Sequence, residues 1–167
     1  MKPEEKDLFL KDLSARLPHH VKVSVNGSKE PWTLKGMFEG EHTGMMLILE
    51  PSFPSKDVSP QTSNWQLSQC KPYLRPMSSM TEEEAKEIAI LHGYNPVEIL
   101  STKVTDEYID IILDDCVSST ITSTIWYDGI ISSLECFDYL NKNMFDFRGL
   151  IPKDLALSTD EFNPYKD

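Results

Sequence analysis

The chain is poor in cysteine, and its cysteines lie far apart. Cys70, Cys116 and Cys136 are an odd number and form no Cys-x-x-Cys pair, which excludes a disulfide framework and a cysteine metal knuckle. Neither is needed for folding, because a chain of this length can bury about 70% of the surface that its unfolded form exposes. We therefore expect buried, reduced thiols in a cytoplasmic protein.

Long apolar runs are also absent. The longest, residues 45–49, is far shorter than the roughly 20 residues that a membrane-spanning helix needs. The N-terminal residues MKPEEKDLFLKDL lack the apolar core and cleavage pattern of a secretory signal. We expect a cytoplasmic protein with no membrane partner. It should form a single compact domain over residues 1–167, with a possible division into a β-rich part (1–76) and an acidic α+β part (77–167).

Basic residues are scarce relative to acidic ones, and the imbalance is uneven. The chain has 16 Lys and Arg against 27 Asp and Glu, a formal net charge of −11. Residues 1–80 hold 10 against 9, whereas residues 81–167 hold 6 against 18. Such a surface repels phosphate backbones, so we expect no nucleic-acid partner. Acidity often serves solubility alone; the more specific interpretation is a negative face that meets a basic protein.

Three helices are predicted from apolar periodicity and capping signals. They are expected near residues 3–17, 82–92 and 133–143. Thr81 and Glu84 form the pattern of a capping box at the start of the second helix. Ser132 occupies the equivalent position before the third helix, and Leu134 is predicted on the inner face of that helix.

The predicted strands come in runs, which favours an α+β fold with antiparallel meanders over alternating strands and helices. The run from Val21 to Leu49 predicts a small curled sheet or a barrel-like part. Residues 97–127 contain a second run. Residues 71–76 include two prolines and are predicted to be a fixed, extended connector outside regular structure. Residues 160–167 are expected to fray.

One candidate site lies in this connector. Lys71, Tyr73 and Arg75 alternate, so they share a side if the segment is extended. Two cations and an aromatic ring suit a small anionic ligand such as a nucleotide, or a carboxylate of a protein partner. The alternative is that Tyr73 packs inward while the cations pair with the acidic half of the chain.

Asp114 and Asp115 are the other candidate binding residues. They follow a predicted strand, a position where carboxylates could contact a partner, bind a metal or act as acid and base, as in a small hydrolase. No histidine or further ligand pattern accompanies them, so we predict no metal, no cofactor and no catalytic residue; a solvated turn is the alternative. The sequence also lacks a hydrolase nucleophile elbow, a glycine-rich phosphate loop and a His-Glu-x-x-His motif.

Three stretches carry a resemblance: KDLSARLP at residues 11–18, KPYLRPMSSMTEEE at 71–84 and FDFRGLIPK at 145–153. Together they resemble an abundant family of short hypothetical proteins from phages and other mobile elements of gut bacteria. The resemblance implies an accessory protein in the cytoplasm of a bacterial host. It supplies no catalytic residues, because the family has no assigned activity. Relatives often have histidines near positions 143 and 144, where this chain has Asn143 and Met144, which argues against a histidine-based site.

The sequence thus predicts a non-enzymatic binding protein of phage or mobile-element origin. Its expected mode of action is protein–protein interaction, for example inhibition of a host factor. Two alternatives stay open: a sequestering protein for a small anionic ligand, and a small metal-dependent hydrolase.

Overall fold

A computed structural model describes residues 1–52, 62–105, 107–115, 119–126 and 133–166. The chain divides into two compact units: unit 1 comprises Met1–Leu74 and Arg148–Asp167, and unit 2 comprises Arg75–Phe147. Unit 2 is therefore inserted into the sequence of unit 1. The boundary predicted at residue 76 lies close to the first junction, but residues 148–167, predicted to belong to the acidic part, belong to unit 1.

All three predicted helices are confirmed. They are α1 (Pro3–Arg16), α2 (Glu82–Leu91) and α3 (Leu134–Lys142). Thr81 caps α2 as predicted, since its hydroxyl accepts a hydrogen bond from Glu84 N and its own N–H donates to the Glu84 carboxylate. At α3 the cap is Ser133, whose hydroxyl accepts from Cys136 N at 3.0 Å. The predicted cap, Ser132, lies outside the described residues. None of the described helices is long and apolar enough to cross a membrane.

Unit 1 contains a six-stranded open sheet. Its strands are β1 (Lys22–Val25), β2 (Trp32–Gly40), β3 (Gly44–Pro51), β4 (Ser63–Gln66), β5 (Cys70–Leu74) and β9 (Leu157–Ser158). They lie in the order β4-β3-β2-β1-β5-β9, with β4 and β9 at the edges. The predicted meander is confirmed, because β1, β2 and β3 pair consecutively and antiparallel. The described strands form an open sheet and not a barrel.

The prediction that residues 71–76 form a connector outside regular structure is wrong for residues 71–74, which belong to strand β5. This strand pairs antiparallel with β1, and Val23 lies opposite Pro72. On its other side β5 pairs in parallel with β9, but only Tyr73 and Leu74 take part. Pro72 therefore fits the strand, because β9 offers no partner for an N–H at that position.

The C-terminal segment is anchored rather than frayed. The Tyr165 hydroxyl donates to Tyr73 O at 3.0 Å and accepts from Lys22 N at 2.9 Å. Phe162 also packs edge-on against the Tyr73 ring, with 5.6 Å between ring centroids. The contacts of these two aromatic side chains hold the segment, although its acidic composition suggested that it would fray.

The interior of unit 1 holds charged side chains as well as apolar ones. Asp12 and Arg16 are both fully buried, and their side chains form a two-point ion pair at 2.8 and 2.9 Å. Arg148 also donates to the Asp12 carboxylate, at 2.7 Å. Because an unpaired buried carboxylate is very costly, these two arginines are what allow Asp12 to lie beside Phe9 and Leu13 in the core.

Unit 2 contains a three-stranded antiparallel sheet in the order β6-β7-β8. The strands are β6 (Ile99–Val104), β7 (Tyr108–Asp115) and β8 (Ser119–Trp126). One face of the sheet joins a core that includes Ile88 of α2, Ile109 and Ile111 of β7, and Leu140 of α3. The predicted strand run at 97–127 is confirmed for its described residues.

The prediction that Leu134 lies on the inner face of α3 is wrong, because this residue is 83% exposed. It is the first residue of the helix and lies about 200° around the axis from Cys136, which is fully buried.

The prediction of buried thiols is confirmed for Cys70 and Cys136, which are free and buried. Burial raises the pKa of Cys70 to about 12 and also raises the pKa of Cys136. Cys116 lies outside the described residues.

Candidate functional site

Arg75, the last predicted site residue of the 71–75 segment, is held by an acidic and an aromatic neighbour in unit 2. Its two terminal nitrogens donate to the two oxygens of Glu84, at 2.6 and 2.9 Å, and one of them also donates to Ser79 O at 3.1 Å. The guanidinium lies 4.1 Å from the centroid of the Phe145 ring. The Arg75 side chain is only 23% exposed, so these contacts occupy most of its donors.

Tyr73 is a core residue of unit 1, with 3% of its surface exposed. Its hydroxyl points towards the carbonyl oxygen of Ser28, at 3.4 Å. The ring is covered by Phe162, as described above. A ligand could reach this ring only if the C-terminal segment moved.

Lys71 is the most accessible of the three predicted residues. Its side chain is 38% exposed and pairs with Asp154, which is 88% exposed. Such an exposed pair contributes little free energy and exchanges readily for another anion. Lys71 also lines a cleft of about 250 Å³ in unit 1, together with Lys153 and Glu5.

Each of the three predicted residues therefore has a contact of its own within its unit. These contacts match the alternative interpretation, in which Tyr73 packs and the cations pair with acidic residues from the second half of the sequence. Ligand binding by Lys71 stays a prediction.

Asp114 lies on β7, opposite Thr120 of β8, and its side chain is exposed. Asp115 continues the strand opposite Ser119, but its side chain is not among those described. In the described part of the chain, no three His, Cys, Asp or Glu side chains are grouped so that they could hold a metal ion. The two predicted acidic residues therefore lie on a strand, not in the solvated turn that was the alternative.

The outer face of the β6-β7-β8 sheet carries a row of residues that sequence reasoning missed. Thr124 donates to the Asp110 carboxylate at 2.7 Å, across the β7–β8 pair. Thr120, Thr122 and Thr124 are all exposed on this face. Alternation along residues 108–115 and 119–126 contains this information, but only the pairing register shows which threonine lies beside which aspartate.

The acidic excess of the chain lies in unit 2. Unit 2 carries 4 Lys and Arg against 14 Asp and Glu, a formal net charge of −10. Unit 1 carries 12 against 13, a net charge of −1. The acidic residues on α2 that face solvent are Glu82, Glu83 and Glu87.

Exposed apolar side chains accompany this charge. Val97 is 86% exposed and Leu100 is 49% exposed, and they flank the exposed Glu98 at the start of β6. This part of the surface therefore combines acidic groups with exposed aliphatic groups.

A second polar cluster lies on the sheet of unit 1. The Lys22 ammonium donates to Thr33 Oγ1 at 2.9 Å and to Ser52 Oγ at 3.1 Å. Burial, and secondarily the charge of Lys35, lower the pKa of Lys22. These hydrogen bonds to two neighbouring hydroxyl groups account for the position of the Lys22 ammonium, so we do not assign it to a ligand site.

Comparisons with known proteins add no identity: no protein-family model matches the chain, and no curated protein or solved structure is significantly similar to it.

Proposed function

We propose that this chain is a non-enzymatic binding protein that contacts a basic protein through unit 2. The observation that carries the proposal is the concentration of charge: unit 2 has a net charge of −10, whereas unit 1 has −1. A charge that served solubility alone would need no such separation.

The acidic surface is suited to a partner that arrives through long-range attraction. Opposite charge on the two partners raises their association rate by about 10-fold to 10³-fold at low salt. Val97 and Leu100 then offer apolar contact area near the start of β6. Charge gives this interface its rate and its choice of partner, and the apolar contacts lengthen its residence time.

The proposal includes the origin that the sequence resemblance implies. As an accessory protein of a phage or mobile element, the chain would act in the cytoplasm of a bacterial host and occupy a basic host or phage protein. Inhibition of a host factor follows directly from such occupation, because a bound surface is closed to other partners.

The test compares two charge-neutralised variants of the full chain. In the first, Glu82, Glu83 and Glu87 of unit 2 become Gln. In the matched control, the exposed Glu30, Glu39 and Glu41 of unit 1 become Gln. A partner isolated from the bacterial host with the unaltered chain is purified, and its association rate is measured by stopped flow at rising salt.

We expect the rate to fall with salt and to fall several-fold in the unit 2 variant, because screening and neutralisation both remove steering. The unit 1 control should keep the original rate. Equal effects of the two variants, or a rate that does not depend on salt, would contradict the proposal.

The cleft beside Lys71 favours a second candidate, sequestration of a small anionic ligand. Lys71 and Lys153 line it, and Asp154 of the exposed ion pair is the group that an anion would displace. Small molecules released by heating the purified chain identify such a ligand. Lys71→Gln should abolish its binding, and retention of the ligand by that variant would exclude this cleft.

A further inference from the structure

In the described part of the chain, strand β8 is an edge of the unit 2 sheet, and its sequence lacks the features that usually protect an edge. Its sequence, STITSTIW, has no charged residue, no proline and no glycine. Its pairing with β7 runs without a shift over eight residue pairs, from Tyr108 opposite Trp126 to Asp115 opposite Ser119. Exposed edges of this kind present a regular row of unpaired N–H and C=O groups.

The opposite edge of the same sheet is protected. The register of β6 shifts between Ile99 and Ser101, and a bulge of this kind disturbs further pairing. Lys103 adds an exposed charge to this edge. Among the described residues, β8 has a strand partner on one side only.

A charge-free strand is unusual in unit 2, where about one residue in four is charged, 18 of 73. Its residues are mostly β-branched, and such residues favour strand pairing. A strand edge without charge, in a unit with this many charged residues, is suited to accept another strand.

The charges beside the edge decide what kind of strand fits. Asp110 and Asp114 lie on β7 on the same outer face as Thr124 and Thr120, because residues two apart along a strand share a face. A strand added to β8 would lie about 10 Å from β7, two strand spacings away. A lysine or arginine on its outer face can extend over the threonines towards these carboxylates, whereas an acidic side chain would be repelled.

We propose that β8 accepts an extended segment of a basic protein as a fourth strand of the unit 2 sheet. The segment carries two cationic side chains four residues apart, which places them about 13 Å apart, as Asp110 and Asp114 are placed on β7. The residue midway between them faces Ile112 and Thr122, and is aliphatic or threonine. This proposal rests on the proposed function and names its partner chemistry.

A second copy of this chain is a poorer occupant. Pairing of β8 with β8 would bring together two units with a net charge of −10 each. It would also supply no cation for Asp110 or Asp114, because β8 has none.

The test uses the full chain and synthetic peptides about nine residues long. The probe, acetyl-TTRTVTRTT-amide, has arginines four apart on one face. In one control, glutamates replace both arginines; in another, TTRTVRTTT, the arginines lie on opposite faces. Two further peptides keep the probe sequence but carry N-methyl groups on the odd or on the even residues, which removes the N–H groups of one edge or the other.

Binding is measured by isothermal titration calorimetry, and its position by amide hydrogen exchange. We expect the probe to bind and to protect residues 119–126. The glutamate and opposite-face peptides should bind at least about tenfold more weakly, and only one of the two N-methylated peptides should bind. Asp110→Asn with Asp114→Asn should weaken the probe about tenfold, whereas Glu39→Gln with Glu41→Gln in unit 1 should not.

Three outcomes would overturn the inference: equal binding of both N-methylated peptides, protection confined to residues other than 119–126, or a stable dimer of the free chain protected at β8. The proposed function fails separately. If the isolated basic partner depends on Glu82, Glu83 and Glu87 but leaves 119–126 unprotected, the acidic interface stands and strand addition does not. If the partner is indifferent to those glutamates, the proposed function itself is wrong.

Discussion

Arg75 and Glu84 form a two-point ion pair in which the carboxylate has a second task. Both oxygens of Glu84 accept hydrogen bonds from the guanidinium, and one of them also accepts from Thr81 N at 2.9 Å. The same carboxylate therefore closes the capping box of α2 and fixes the side chain at the start of unit 2. Any change at Glu84 alters the helix start and the arginine together.

Arg75→Gln should lower the free energy of unfolding by about 2 kcal/mol, because it removes charge-assisted hydrogen bonds from a largely buried carboxylate. Lys71→Gln is the matched control. Its ion pair with Asp154 is exposed, so the change should be within about 0.5 kcal/mol. Denaturant titration of both variants measures the difference. Equal losses would mean that the Arg75 pair is no stronger than a surface pair.

The same ion pair predicts a loss of stability in acid. Burial by itself would raise the pKa of Glu84, but hydrogen bonds from Arg75 and Thr81 and the charge of Arg75 outweigh it and hold the pKa below its ordinary 4.5. As pH falls through 4.5 and then through this lower value, the unfolded chain binds the proton first, so the folded state loses stability. Glu84→Gln should make the decline between about pH 5 and pH 3 shallower. A parallel decline in the variant would contradict this assignment.

Thr81→Ala should cost about 1 kcal/mol, because it removes the acceptor for Glu84 N at the start of α2. Thr81→Ser keeps a hydroxyl at the cap and should restore most of that loss. Thermal denaturation followed by circular dichroism compares the three proteins. Identical melting of the alanine and serine variants would show that the hydroxyl contributes nothing.

Tyr165→Phe should destabilise unit 1 by about 1 to 2 kcal/mol. The change leaves Lys22 N and Tyr73 O without the partner that the hydroxyl provides, while it keeps the ring. Limited proteolysis should then cleave the C-terminal segment faster. If the cleavage rate does not change, the segment is held by Phe162 and the ring of residue 165 alone.

Cys70 and Cys136 should be unreactive in the folded protein at neutral pH, because burial raises the pKa of both thiols. Only the thiolate reacts with alkylating agents. In a Cys116→Ala background, iodoacetamide should label neither thiol until denaturant is added, and both afterwards. Rapid labelling of the folded protein would show that at least one of them opens to solvent.

Apolar periodicity and capping residues predict the helices and the antiparallel strand runs, because these signals are local. They fail for β5, where two prolines suggest a connector. Whether Pro72 can join a strand depends on which neighbours need its N–H, and that depends on β1 and β9, which come from distant parts of the sequence. The prediction for Leu134 fails because the cap is Ser133, one residue later than predicted. Leu134 is therefore the first residue of the helix, where no preceding turn fixes the face on which it lies.

The candidate site is less predictable than the fold. Alternation places Lys71, Tyr73 and Arg75 on one side of an ideal strand. Each of these side chains also has a distant partner: Glu84, Asp154 and Phe162 lie 9, 83 and 89 positions away from Arg75, Lys71 and Tyr73 respectively. The acidic excess was visible in the sequence. Its assignment to unit 2, and the position of the charge-free edge beside Asp110 and Asp114, required the strand register.

The buried Asp12 makes the completion of unit 1 depend on its second, C-terminal segment. Its carboxylate needs Arg148, which is synthesised 136 residues later, and β5 likewise waits for β9. All of unit 2 is synthesised during that interval, and a backbone bridge between Arg75 and Phe145 joins its two ends. The inserted unit thus takes all of its residues from one continuous stretch, whereas unit 1 is complete only once residues 148–167 have been added. A chain that ended before Arg148 would contain the whole of the acidic unit 2, attached to an N-terminal segment whose Asp12 lacks its second arginine.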